Sequence, residues 1–139
     1  RMDIPEHNRV DWNHQSREGT DWTMPVGARE IRDARRGVWS VRLTPTRPVP
    51  RDWFGEVREK RVLCLASGGG QQAPILAAAG AAVVSLDLSD EQLARDREVA
   101  EREEVILVDL AAEFGVVYFA LRGNGFAYGR PTKIEPIHK

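Results

Sequence analysis

Two short groups of residues in this chain have the types and spacing to do chemistry together: the glycine turn Ser67-Gly68-Gly69-Gly70 and the acid Asp87. The glycines follow an apolar run, Arg61–Ala66, and precede an alanine-rich stretch, Gln71–Ala79. Without Cβ atoms the backbone turns sharply there and admits a ligand at close range. A helix that starts after such a turn has unpaired N–H groups and a partial positive charge at its N-terminus, which favours an anionic or carboxylate-bearing group. Asp87 closes the next apolar run, where an acid offers two acceptor oxygens to the vicinal hydroxyls of a ribose. Each feature has a plainer reading, a structural turn in one case and a capping acid beside Ser89 in the other. Their combination points to a nucleoside ligand. It does not choose the nucleoside, because Gly68-x-Gly70-x-x-Ala73 also satisfies the dinucleotide pattern G-x-G-x-x-A.

These groups need rigid elements to hold them. Arg61–Ala66 reads as a buried parallel strand entering a tight turn. Gln71–Ala79 reads as a helix with Pro74 in its first turn and Gly80 placed to stop it. Ala82–Leu88 is a β-branched strand, and Ser89-Asp90-Glu91-Gln92 has the form of a capping box, so a helix should start at Asp90. Glu91/Arg95 and Glu98/Arg102 would support that helix at i,i+4 spacing. Val105–Leu110 is a third strand. The alternation predicts a βαβαβ unit with a parallel sheet in the order 3-2-1, an α/β Rossmann-like fold.

The flanks differ in character. Residues 1–60 read as a polar, irregular arm that holds all four tryptophans, Trp12, Trp22, Trp39 and Trp53. Pro45, Pro48 and Pro50 favour an extended path, Val26–Arg36 a short helix ended by Gly37, and Val38–Thr44 a strand with Trp39, Val41 and Leu43 on one side. The expected division is an arm at 1–60 and a core with a divergent tail at 61–139. In the tail, Val116–Leu121 reads as another strand and Gly123-Asn124-Gly125 as a turn.

Composition narrows the classes of function. A net charge of −1 gives no bulk electrostatic drive toward nucleic acid. No apolar stretch approaches the ~20 residues of a membrane span, and the N-terminus lacks a signal-peptide pattern, so a cytoplasmic location is expected. The single Cys64 cannot form an internal disulfide and reads as a small core residue. His7, His14 and His138 have no metal-site spacing, and a surface position suits His14 better than a general-base role. Trp12, Trp22 and Tyr128 could line an aromatic pocket around a cation, although packing of the arm is the simpler account. Glu101–Glu104 and Arg29–Arg36 read as solvated.

The stretch RVLCLASGGGQQAPILAAAGAAVVSLDLSDEQLARDREVAERE resembles the S-adenosylmethionine (SAM)-binding core of bacterial class I methyltransferases. The segments WNHQSREGTDWTMPV and LTPTRPVPRDWFGEVREKRV resemble the N-terminal extension of one branch of that group. The resemblance implies that Ala66, Ser67, Gly68, Gly69 and Gly70 hold the amino acid portion of SAM. It places Asp87 on the ribose hydroxyls, Leu88 against adenine, and Asp109 with Leu110 at the adenine amino group. Cys64 stands near a position where the family turn often carries an acid. The family fold continues through a fourth to seventh strand, and the tail ALRGNGFAYGRPTKIEPIHK does not look like that second half. A three-layer core incomplete relative to seven strands is therefore expected.

Three functions follow. The first is SAM-dependent methyl transfer to a small-molecule acceptor, with no catalytic residue nominated, since in-line transfer needs mostly positioning and desolvation. The second is a non-catalytic protein that keeps the nucleoside half-site or only its packing and dimerises through an open sheet edge. The third is an NAD-linked oxidoreductase.

Overall fold

The computed structural model describes residues 4–44 and 46–111, with the backbone alone over 109–111, and the backbone of two further strands at 119–121 and 125–127. In chain order the elements are helix α1 (Ile4–Glu18), helix α2 (Ala28–Arg35), strands β1 (Arg42–Thr44) and β2 (Arg47–Pro48) and a 3-10 turn (Arg51–Trp53). Then come β3 (Arg61–Leu65), α3 (Gln72–Ala78), β4 (Ala82–Asp87), α4 (Asp90–Glu103), β5 (Leu107–Ala111), β6 (Phe119–Leu121) and β7 (Gly125–Ala127).

The three apolar runs form one parallel sheet in the order β3-β4-β5, the expected βαβαβ arrangement. Its register sets Cys64 beside Ser85 and Val83 beside Leu107, and these four are buried under α3 and α4. The hydrophobic core on that face joins Cys64, Val83 and Leu107 to Ala73 and Leu76 of α3 and to Val41 and Val57 of the arm. The opposite face carries Leu63 and Leu65, 59% and 39% exposed. Both core helices, α3 and α4, lie on one face, and the described residues hold no second helical layer of the expected three on the other.

The start of α4 is half a capping box. Ser89 Oγ accepts from the Gln92 N–H at 3.1 Å, but the Ser89 N–H goes to Asp87 Oδ1 at 2.9 Å rather than to the Gln92 side chain. The expected Glu91/Arg95 pair does not form; Glu91 meets Arg17 of α1 at 2.9 Å and Arg95 meets Glu98 at 3.1 Å. The Glu98/Arg102 pair is present at 3.8 Å.

The arm is far more regular than its composition suggests. Residues 4–18 form a helix of 15 residues with Ser16 as its only buried member. With no apolar stripe to announce it, the helix is held by local pairs such as Glu6–Arg9 at 2.7 Å and by docking on α4. Elsewhere in the arm, the expected 38–44 strand shrinks to Arg42–Thr44 paired with β2. Val41 is buried but Leu43 is 54% exposed, so the predicted alternation fails there. Of the expected 116–121 strand, the described part is β6, which pairs antiparallel with β7; residues 123–124 of the expected turn lie outside the described residues. Among the described residues, no helix is long and apolar enough to cross a membrane.

Candidate functional site

The turn between β3 and α3 meets the end of β4, as the sequence spacing requires of adjacent parallel strands. Ala66 leaves β3 with φ of 48° and donates its N–H to Leu86 O at 2.7 Å. Gly69 and Gly70 follow with φ of 113° and 73°, a region that disfavours any side chain.

Asp87 reaches back to this turn. Its Oδ2 accepts from the Gly68 N–H at 2.9 Å, and its Oδ1 accepts from Ser89. Burial pushes the Asp87 pKa above the ordinary value of 3.8, opposed by hydrogen bonds from the Ser89, Gly68 and Leu88 amides. An ionised carboxylate has roughly four acceptor sites, so even three amides leave one for a diol hydroxyl.

Protein acceptors take the amides of all three glycines. Gly68 donates to Asp87, Gly69 donates to Gln92 O at 2.8 Å, and Gly70 donates to Asp96 Oδ1 at 2.7 Å. Asp96 is fully buried and also accepts from Ser85 Oγ at 2.7 Å. Protein therefore satisfies all three donors, and two of the three acceptors are carboxylates.

Protein also occupies the space above the glycines. A Cβ on Gly69 would stand 2.5 Å from Trp22 O, and one on Gly70 would stand 2.9 Å from Pro25 Cβ. The 22–26 strap is tied down by Val26 N–H to Gly70 O at 2.8 Å and by Gln71 Nε2 to Asp21 O and Met24 O. Beside the strap, α1 caps the neighbouring helix: Ser89 Oγ donates to Asn13 Oδ1 at 2.6 Å. Among the described residues, the buried Gln92 Oε1 at the turn has no hydrogen-bond partner.

The structure thus gathers Ala66–Gly70, Asp87 and Leu88 at one end of the sheet. Asp109 and Leu110 pair by backbone with Ser85 and Leu86, and their side chains lie outside the described residues. Sequence reasoning missed Asp96, Gln92 and the strap. Asp96 did carry a signal, an acid on the stripe Leu93, Asp96, Val99 that faces the core at helical spacing. The strap carried none, because its contacts are long-range.

The remaining candidates fall into place as surface or core. His7 and His14 are exposed beside Asp11 and Glu18. No group of three or more potential metal ligands exists among the described residues. The Trp22 backbone, rather than its ring, touches the turn; Trp12 is 37% exposed, and Tyr128 and His138 lie outside the described residues. Cys64 is buried, and burial pushes its thiol up to about 11, with Asp96 adding to the shift and Ser67 opposing it.

Residues 63–117 match a methyltransferase domain family. Over 97 residues, 70% of this chain, the sequence is 50% identical to the uncharacterized methyltransferase YbaJ of Bacillus subtilis (strain 168). The matched chain spans 38% of that relative's length.

Proposed function

We propose, from the premise that residues 63–117 belong to the methyltransferase domain family, that this chain carries the nucleoside half-site of a class I SAM-dependent methyltransferase. One observation carries the reading: Asp87, at the end of the second parallel strand, is aimed by the Gly68 and Ser89 amides while acceptor capacity remains on its carboxylate. The residues present fit SAM better than NAD. The ligand's ribose suits Asp87, its positive charge suits a turn flanked by Asp87 and Asp96, and Leu88 offers an apolar neighbour to adenine. A dinucleotide would instead bring a pyrophosphate to glycine amides that already have partners.

SAM supplies a methyl group on a sulfonium sulfur. This chain's residues would bind and orient it: Asp87 would hold the hydroxyls and the Ala66–Gly70 turn would take the amino acid end, while the resemblance assigns the adenine side to Asp109 and Leu110.

A second reading has its own observation. Trp22 O and Pro25 close over Gly69 and Gly70, so the glycines also serve as a packing joint, as in a scaffold that has lost its cofactor. Calorimetric titration with SAM, S-adenosylhomocysteine and NADH, repeated on Asp87→Ala, separates the two. Micromolar SAM binding (about −8 kcal/mol) that the substitution weakens sharply supports the methyltransferase reading. A folded chain that binds neither adenosyl ligand leaves the scaffold, and one that prefers NADH overturns the choice of nucleoside.

A further inference from the structure

We propose that the cavity between the N-terminal arm and α3 binds an amphipathic organic cation, an amine carried on an apolar or aromatic body. The cavity holds about 600 Å³, within the range of small-molecule sites. Residues 21–27, helix α2, the 38–42 segment and the first turn of α3 wall it.

Two chemistries divide the lining. Ile75 and Val41, 9% and 3% exposed, give it an apolar floor together with Trp39. The Trp39 ring is held in place: Phe54 meets it edge-on at 5.4 Å between centroids, and the Arg51 guanidinium lies 3.6 Å from its centroid. Around this floor stand the carboxylates of Asp21, Glu30 and Asp33 and two guanidiniums, Arg42 in the lining and Arg51 on the Trp39 ring, which leaves one negative charge in excess. Asp33 has only the exposed Arg29 nearby at 3.8 Å. Among the described residues, Asp21 and Glu30 carboxylates take part in no ion pair or hydrogen bond. Excess negative charge beside a low-dielectric wall raises the local concentration of cations. The apolar floor then selects cations with a hydrophobic body, and an anion of the same shape meets three carboxylates.

This cavity is separate from the Asp87 site, although the two share a wall. Gln71 follows Gly70 in sequence, and its Nε2 donates to Asp21 O at 2.7 Å and Met24 O at 2.9 Å. The inference goes beyond the cofactor reading and stands without it.

The test is calorimetric titration of the chain with 2-phenylethylamine, with 2-phenylethanol and 3-phenylpropionate as neutral and anionic counterparts. The amine binds saturably and at least about tenfold tighter than either counterpart. The double substitution Glu30→Gln/Asp33→Asn weakens amine binding about five- to tenfold, and Arg42→Gln tightens it about two- to threefold. All three positions are at the surface, thermal melting checks that each variant folds, and Arg42→Gln gives a readout independent of the acidic pair. Absence of saturable amine binding, equal affinity for amine and propionate, or unchanged affinity in both variants overturns the proposal. SAM titrated in parallel keeps the two readings apart, since neither result depends on the other.

Discussion

Gly69→Ala tests whether the glycine turn is a packing joint as well as a ligand turn. Two costs add at this position. The backbone holds φ of 113°, which penalises an L side chain by about 1–2 kcal/mol. The new Cβ would also stand 2.5 Å from the Trp22 carbonyl oxygen. That oxygen cannot withdraw alone, because Gln71 holds the flanking Asp21 and Met24 carbonyls and Val26 is bonded to Gly70. Shifting the whole strap is an overpacking cost of about 1–3 kcal/mol. Gly37→Ala isolates the first cost, since φ is 85° there and nothing lies within 4 Å of the added Cβ. At roughly 3–4 °C per kcal/mol for a domain of this size, Gly69→Ala should melt about 3–12 °C below Gly37→Ala. Circular dichroism melts of both variants against the parent give the comparison. Equal losses from the two substitutions would refute the strap contact, and the glycines would then be reserved for a ligand.

Other consequences are as direct. Asp96→Ala leaves the Gly70 N–H and the Ser85 hydroxyl without their buried acceptor and should cost about 2–4 kcal/mol in urea unfolding; a loss below about 0.5 kcal/mol contradicts this network. Burial raises the Asp87 pKa above 3.8, so the folded chain binds this proton at higher pH than the unfolded chain. Its contribution to stability therefore grows as pH falls through the folded pKa and is lost as pH rises through it. The parent-minus-Asp87→Asn stability difference, followed by denaturant titration across acid pH, should slope in that sense; the opposite slope defeats the burial argument. Cys64, with its thiol pushed up to about 11, should resist a thiol-specific reagent at pH 8 in the folded chain and react on unfolding. Rapid labelling of native protein would place Cys64 outside the core.

What the sequence determined by itself is what local pattern encodes. The runs Arg61–Ala66, Ala82–Leu88 and Val105–Leu110 are legible as parallel strands because buried strands read as short apolar runs, and the structure sets their bounds at Arg61–Leu65, Ala82–Asp87 and Leu107–Ala111. Ser89 announced α4, and twenty-odd residues of βα repeat brought Asp87 to the glycine turn without reference to anything distant. Helix α1 was not legible, because a polar helix with one buried residue carries no hydrophobic period and depends on α4 for its place. The partners of the glycine amides were equally out of reach. That Gly70 donates to Asp96 and that Trp22 O lies over Gly69 are facts of contact between residues far apart in the chain. A glycine announces room for an approach, and only the packing of the arm and α4 against the turn decides what occupies that room.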